Sequence, residues 1–92
     1  MVDGGSPSPR TTRADLLCRE LVDGAMLYDA VHQRVHHLNE TASLVWAACR
    51  RGETTEGIVA ELCRRFDVPD QQARDDVETL LRTFAASGLF AR

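Results

Sequence analysis

The chain has 92 residues, of which 43% are hydrophobic and 27% charged, and its formal net charge is −3. A chain this short has room for a single hydrophobic core, so one domain is expected. The acidic balance disfavours nucleic-acid binding through a general basic surface, because phosphate binding needs an excess of cationic side chains. No apolar run reaches the ~20 residues that span a bilayer, so no membrane partner is expected.

Residues 1–13 are rich in Gly, Ser, Pro and Thr and offer almost nothing to bury. This composition predicts a disordered N-terminal tail and leaves residues 14–92 as the folded domain. The same tail lacks the apolar segment of a secretory signal, so a cytoplasmic location is expected.

Three short apolar runs follow the tail, at residues 16–22, 25–29 and 34–38. An Asp-Gly turn signal separates the first two runs, and residues 30–33 connect the second run to the third. Brief apolar runs divided by turn residues are typical of β-hairpins. The sequence therefore predicts a three-stranded antiparallel sheet in the first half of the chain.

The hydrophobic period becomes helical at Asn39, whose side chain is a suitable N-cap. A second helix is expected after a threonine cap at Thr54 or Thr55, and a third with Asp70 as its cap. Three strands followed by three helices predict an α+β domain with winged-helix-like character. The third helix carries the clearest apolar stripe, which consists of Ala73, Val77, Leu80, Leu81 and Phe84.

The sequence contains no set of side chains with the spacing of a catalytic or metal site. His32, His36 and His37 lie in the predicted hairpin region, and no Cys or acidic residue stands at a zinc-like spacing from them. The cysteines are widely spaced and form no CxxC pair, and no glycine-rich phosphate loop occurs. We therefore expect a protein that is not an enzyme and has no cofactor.

Residues 37–42, with the sequence HLNETA, are followed by Val45 and Trp46. This segment resembles the PqqD-family pattern, in which a Leu-Asn pair precedes Ala and then an Ile/Val-Trp pair. The resemblance extends over approximately residues 16–90. Its further parts, in chain order, are Gly52 with Thr54, then Ile58, Leu62 and Phe66, then Asp76-Val77 with Leu80-Leu81, and finally Gly88-Leu89.

The resemblance implies a small recognition domain for ribosomally synthesised precursor peptides. Family members bind the leader of such a peptide and hand it to a modifying enzyme, often a radical SAM enzyme, without performing chemistry themselves. The leader adds as a further strand beside the third strand, in a groove shared with the third helix. The implied partners of this chain are therefore a precursor peptide and a modifying enzyme.

The implied site on this chain combines the third strand with one flank of the third helix. An exposed edge strand presents unpaired amides and carbonyls with which an extended peptide can pair. We expect the groove wall on the flank that carries Arg74 and Glu78, and the opposite flank, with Asp76 and Thr83, stays the alternative. The predicted peptide-binding residues are Arg34, Val35, His36, His37, Arg74, Val77, Glu78 and Leu81.

Two functions other than leader binding are compatible with the same predicted strands and helices. A DNA-binding winged helix needs a recognition helix with basic or amide side chains, whereas the third predicted helix is rich in acidic ones. An adaptor that binds a protein partner without a leader peptide would use the same edge strand. Such an edge can also pair with a second copy of the chain, so a homodimer stays an alternative to a monomer.

Overall fold

The computed structural model describes residues 11–91 of the chain. The order of elements is three strands followed by three helices, which confirms the predicted α+β class. The strands are β1 (Leu17–Leu21), β2 (Gly24–Asp29) and β3 (Arg34–Asn39). The helices are α1 (Glu40–Arg50), α2 (Thr55–Phe66) and α3 (Asp70–Ala86).

The three strands form one antiparallel sheet in the order β1-β2-β3, so β3 lies at an edge. The register places Leu27 opposite His36 and Ala25 opposite Leu38. Gly24 lies so close to β3 that a Cβ at this position would overlap the carbonyl oxygen of Leu38. Glycine at the start of β2 therefore permits the close approach of the two strands.

Side-chain caps begin the first two helices where the sequence predicts them. Asn39 accepts a hydrogen bond from the amide of Ala42 at 2.8 Å, and Thr54 accepts one from the amide of Gly57 at 3.1 Å. The prediction for the third helix is wrong in one detail, because Pro69 occupies the N-cap position and makes no side-chain hydrogen bond there. Asp70 is instead the first helical residue, where its charge still complements the helix dipole.

One face of the sheet and the inner faces of the three helices enclose a single apolar core. Trp46 lies at its centre, with its ring edge-to-face against Phe84 at 5.4 Å and stacked on Phe90 at 6.3 Å between centroids. Aromatic pairs in these geometries contribute about 0.5–1.5 kcal/mol beyond the area that they bury. The other core residues include Ala25, Leu27, Val45, Ile58, Val59, Leu62, Ala73, Val77 and Leu89.

The two ends of the described chain meet beside this core. Thr12 forms a β-bridge with Phe90, and the amide of Arg13 donates to the carbonyl of Leu89 at 3.1 Å. Residues 1–10 of the predicted tail lie outside the described residues. Residues 11–13 correct the prediction, because they are part of the fold and pair with the segment that follows α3.

Within residues 11–91, no helix combines the length and the apolarity that crossing a bilayer requires.

Candidate functional site

The sheet has two outer edges, along β1 and along β3, and the β3 edge is the one that borders a cleft with the third helix. β3 pairs with β2 on one side, and no other strand among residues 11–91 pairs with its second side. Side chains alternate along it, so Leu38 is buried against the helical layer while Val35 is 60% exposed on the opposite face. The strand therefore offers both free backbone groups and side chains on two faces to an incoming chain.

An open cleft separates this edge from the third helix. α3 packs against α2 and α1, and no Cα of α3 comes within 8 Å of a Cα of β3, both elements being fully described. The cleft, called here the β3–α3 cleft, has a volume of about 320 Å³. It is lined by Asn39, Thr41, Asp76, Thr79 and Leu80.

The flank of α3 that the sequence favoured as a groove wall faces α2. Both terminal nitrogens of Arg74 donate to the carboxylate of Glu56 on α2, at 2.7 and 2.9 Å. This pairing also holds the pKa of Glu56 below its ordinary value. Glu78 follows Arg74 by one helical turn and lies on the same flank.

The predicted residues of α3 do not line the β3–α3 cleft. Val77 is fully buried in the core, and Leu81 is packed partly buried against it, so neither presents its side chain to the β3–α3 cleft. On the opposite flank, Asp76 lines the cleft together with Asn39 of β3. Which of these residues bind a peptide stays a prediction.

All five residues that line the cleft are absent from the predicted set, and of these only Asp76 was named for the groove, on the flank kept as the alternative. Leu80 belongs to the apolar stripe of α3, and Asn39 was recognised as a helix cap, so each already had a structural role in the sequence. Thr41 and Thr79 carry no distinguishing pattern. The spacing of Asp76, Thr79 and Leu80 at i, i+3 and i+4 places them on one side of a helix, and this spacing is the signal that the sequence contained.

A buried carboxylate fixes the turn that leads into β3. The side chain of Asp29 is 1% exposed. It accepts hydrogen bonds from the two terminal nitrogens of Arg13 at 2.9 and 3.0 Å, and from Nδ1 and the backbone amide of His32 at 2.8 and 3.2 Å. The Arg13 guanidinium, more than the His32 contacts, holds the pKa of Asp29 far below its ordinary value. His32 is therefore part of a structural network.

The same network positions the first residue of the exposed edge. The turn closes through Gln33, whose φ of 55° lies in the left-handed region. Arg34 follows directly and stands opposite Asp29 in the strand register. Because Asp29 is anchored by Arg13 and His32, the starting point of β3 is fixed relative to the rest of the fold.

Two buried nitrogen atoms have no hydrogen-bond partner among residues 11–91: Nε2 of His36 and Nε1 of Trp46. A buried group left unsatisfied is destabilising by about 1–3 kcal/mol. His36 is on the edge strand, on the side of the helical layer, so a chain bound along β3 would lie close to its ring. Within the same part of the chain, no group of three His, Cys, Asp or Glu side chains could hold a metal ion.

Comparisons with known proteins found a family model and solved structures to which the chain is similar. The sequence model of the family described as Coenzyme PQQ synthesis protein D (PqqD) matches residues 24–89. The structure described as TbiB1 in complex with the TbiA(beta) leader peptide is 20% identical, with a TM-score of 0.79 over 89% of this chain and 99% of that chain. A lasso peptide synthetase B1 complexed with the leader peptide is also 20% identical, with a TM-score of 0.76 over 85% and 92%. No curated protein sequence matches the chain.

Proposed function

Because the chain belongs to the PqqD family, whose model matches residues 24–89, we propose that it binds the leader of a ribosomally synthesised precursor peptide. It presents that peptide to a modifying enzyme and performs no chemistry itself. The observation that carries this proposal is the unpaired edge of β3 beside the open β3–α3 cleft. Two structures with the same fold were solved with leader peptides bound.

Strand addition explains how so small a protein holds an extended peptide. The backbone of β3 supplies main-chain hydrogen bonds, which give affinity for any extended chain. Selection comes from side chains at alternate positions, because successive residues of the bound strand point to opposite faces. A peptide residue directed at the helical layer enters the β3–α3 cleft, and its neighbours point outward beside Val35 and His37.

The proposed binding residues follow from this arrangement. From the sheet they are Arg34, Val35, His36 and His37, as the sequence predicts. From α3 they are Asp76, Thr79 and Leu80, which replace Arg74, Val77, Glu78 and Leu81. The replacement is supported by the burial of Val77 and by the pairing of Arg74 with Glu56.

The charges on α3 disfavour the DNA-binding alternative. Asp75, Asp76 and Glu78 are all exposed on this helix. A recognition helix in the major groove would bring these carboxylates against phosphates and base acceptors, where they repel. The partners of the proposed function are instead a precursor peptide and its modifying enzyme, with a radical SAM enzyme as the class expected from the family. We place this function in the cytoplasm, where ribosomes release such precursors.

The experiment that tests the proposal is an NMR titration of isotope-labelled protein with candidate precursor peptides from the same genomic locus. We expect a Kd on the order of micromolar, or about −8 kcal/mol. Amide shifts are expected along Arg34–Asn39 and at Asp76, Thr79 and Leu80. Residues on the α2-facing flank, such as Glu78, serve as the internal control and should shift little.

The pattern of shifts separates the outcomes. Changes confined to the edge strand and the cleft support strand addition. Changes on the Arg74 flank without changes on β3 would contradict the proposed site. A folded protein that responds to none of the local precursor peptides would contradict leader binding and favour an adaptor for a protein partner.

A further inference from the structure

We infer that the peptide segment bound along β3 has a defined charge order, with a basic side chain towards its N-terminus and an acidic one about four residues later. This inference rests on the proposed function and adds the chemical class of the peptide. It comes from the opposite charges at the two ends of β3.

Carboxylates surround the end of β3 that leads into α1. Asn39 lines both the β3–α3 cleft, which contains Asp76, and a neighbouring depression of about 330 Å³, which contains Asp23. Among residues 11–91, neither carboxylate has an Arg, Lys or His nitrogen within 4.0 Å. A basic peptide side chain in the β3–α3 cleft therefore lies near Asp76, and one in the neighbouring depression lies near Asp23, and the protein compensates neither carboxylate.

The other end of β3 carries an uncompensated cation. Arg34 is exposed, and Asp29 stands opposite it in the register. The Asp29 carboxylate is already bound by Arg13 and His32. Within the described part of the chain, Arg34 has no carboxylate oxygen within 4.0 Å. The buried network thus engages the acid that stands opposite Arg34. The Arg34 guanidinium stays available to an acidic group on the peptide.

The geometry of a strand sets the spacing of the two peptide charges. Arg34 and Leu38 point to the same face of β3, and their opposite positions on a paired strand are about four residues, or ~13 Å, apart. This separation exceeds the Debye length of about 8 Å at physiological ionic strength. Each end of the strand therefore acts on its own peptide charge with little interference from the other.

The direction of the peptide follows from the sheet. Both existing pairings are antiparallel, and antiparallel pairing is slightly more stable per residue than parallel pairing. An antiparallel peptide places its N-terminal part beside Asn39 and its C-terminal part beside Arg34. The preferred order along the peptide is therefore basic first and acidic second.

Three synthetic peptides test the inference. Each is a blocked ten-residue chain of alternating Thr and Val, with Lys then Glu, Glu then Lys, or Gln at both of two positions four residues apart. A single exposed ion pair contributes little to the binding free energy. The Lys-first peptide, however, makes two attractive contacts where the Glu-first peptide makes two repulsive ones. We expect the Lys-first peptide to bind on the order of tenfold more tightly than the Glu-first peptide in NMR titrations at physiological ionic strength.

A charge-swapped protein provides the decisive comparison. The double variant Asp76→Lys with Arg34→Glu should reverse the preference, so that the Glu-first peptide binds more tightly. Glu78→Lys makes the same charge change as Asp76→Lys, but on the flank that faces α2, and should leave the preference as it is. All three substituted positions are exposed, and the fluorescence of Trp46 verifies that each variant is folded.

The outcomes distinguish this inference from the proposed function. Equal binding of both charged peptides and the Gln peptide would overturn the charge order and leave strand addition in place. A preference that does not reverse in the double variant would also overturn it. If neither these peptides nor the local precursors bind, the proposed function itself fails.

Discussion

The Asp29 carboxylate shows how one buried acid can be stabilising. It accepts four hydrogen bonds from Arg13 and His32 while its side chain is almost entirely removed from solvent. Removing one member of a buried charge pair is strongly destabilising, because the other charge is left without compensation. The pair also sets the position of the neighbouring edge strand, so this residue links stability to the proposed binding site.

The substitution Asp29→Asn should lower the stability of the protein at neutral pH. The folded-state pKa of Asp29 lies far below its ordinary value of 3.8. The contribution of Asp29 to the free energy of unfolding is therefore fully present above this ordinary value. It is lost as the pH falls through the lower, folded-state pKa. The difference between wild type and variant should therefore be large near pH 7 and smaller near pH 3. Urea unfolding followed by Trp46 fluorescence measures the free energy of unfolding of wild type and variant at each pH.

Asp15→Asn is the matched control for this prediction. Asp15 pairs with the same guanidinium but is 51% exposed, so water can replace its interactions at little cost. Asp15→Asn should therefore lower the free energy of unfolding less than Asp29→Asn does. An equal loss in the two variants, or a difference that does not depend on pH, would contradict the role given to Asp29.

At the scale of elements, β3 is the strand on which the proposed function depends. Its second side is unpaired among residues 11–91, and the turn before it is held by the Asp29 network. An exposed, unprotected edge is a liability for aggregation, which natural proteins usually cover or interrupt. The retained edge is therefore consistent with a strand that an incoming peptide covers.

Backbone methylation of the peptide tests strand addition independently of side chains. In an edge pairing, alternate peptide amides point towards β3 and the others point away. Methylating the amides of one alternating set should abolish binding, whereas methylating the other set should leave it nearly unchanged. Isothermal titration of both methylated forms of a binding precursor peptide provides the measurement. Equal effects of the two sets would show that the peptide does not bind as a strand.

At the scale of the whole molecule, the segments at the two ends of the described chain close the core together. Leu89 is 1% exposed, and Phe90 stacks on Trp46 while it bridges to Thr12. Arg13 adds hydrogen bonds to the carbonyl of Gly88 and to Asp29. These contacts connect the residues before β1, the turn before β3 and the segment after α3 into one unit.

Leu89→Ala should therefore destabilise the entire domain. Replacing a fully buried leucine by alanine removes about 2–5 kcal/mol from the free energy of unfolding. Urea denaturation followed by circular dichroism and by Trp46 fluorescence should give coincident transitions, both at lower urea than in the wild type. Val22→Ala is the control, because Val22 is fully exposed and should change the stability by less than about 0.5 kcal/mol. A loss below 1 kcal/mol for Leu89→Ala would contradict this account.

The sequence by itself determined the number, type and order of the elements, since caps and hydrophobic periods are local properties. Asn39 and Thr54 begin their helices as predicted, and the pattern from residue 37 onward identified the family. The edge position of β3 also followed from the family fold. The caps and the helical periods depend on residues that are close together in the chain, where spacing fixes the geometry, whereas the edge position of β3 was implied only by the resemblance.

Only the tertiary structure decided which flank of α3 faces the sheet. The apolar stripe shows which side of the helix is buried, but the two flanks differ only in which neighbour each contacts. The packing of α3 on α2 turned Arg74 towards Glu56 and left Asp76 at the cleft. The network of Arg13 likewise joins residues 16 and 75 positions apart. Contacts between such distant residues have no local sequence pattern, because they arise only when the core brings the elements together.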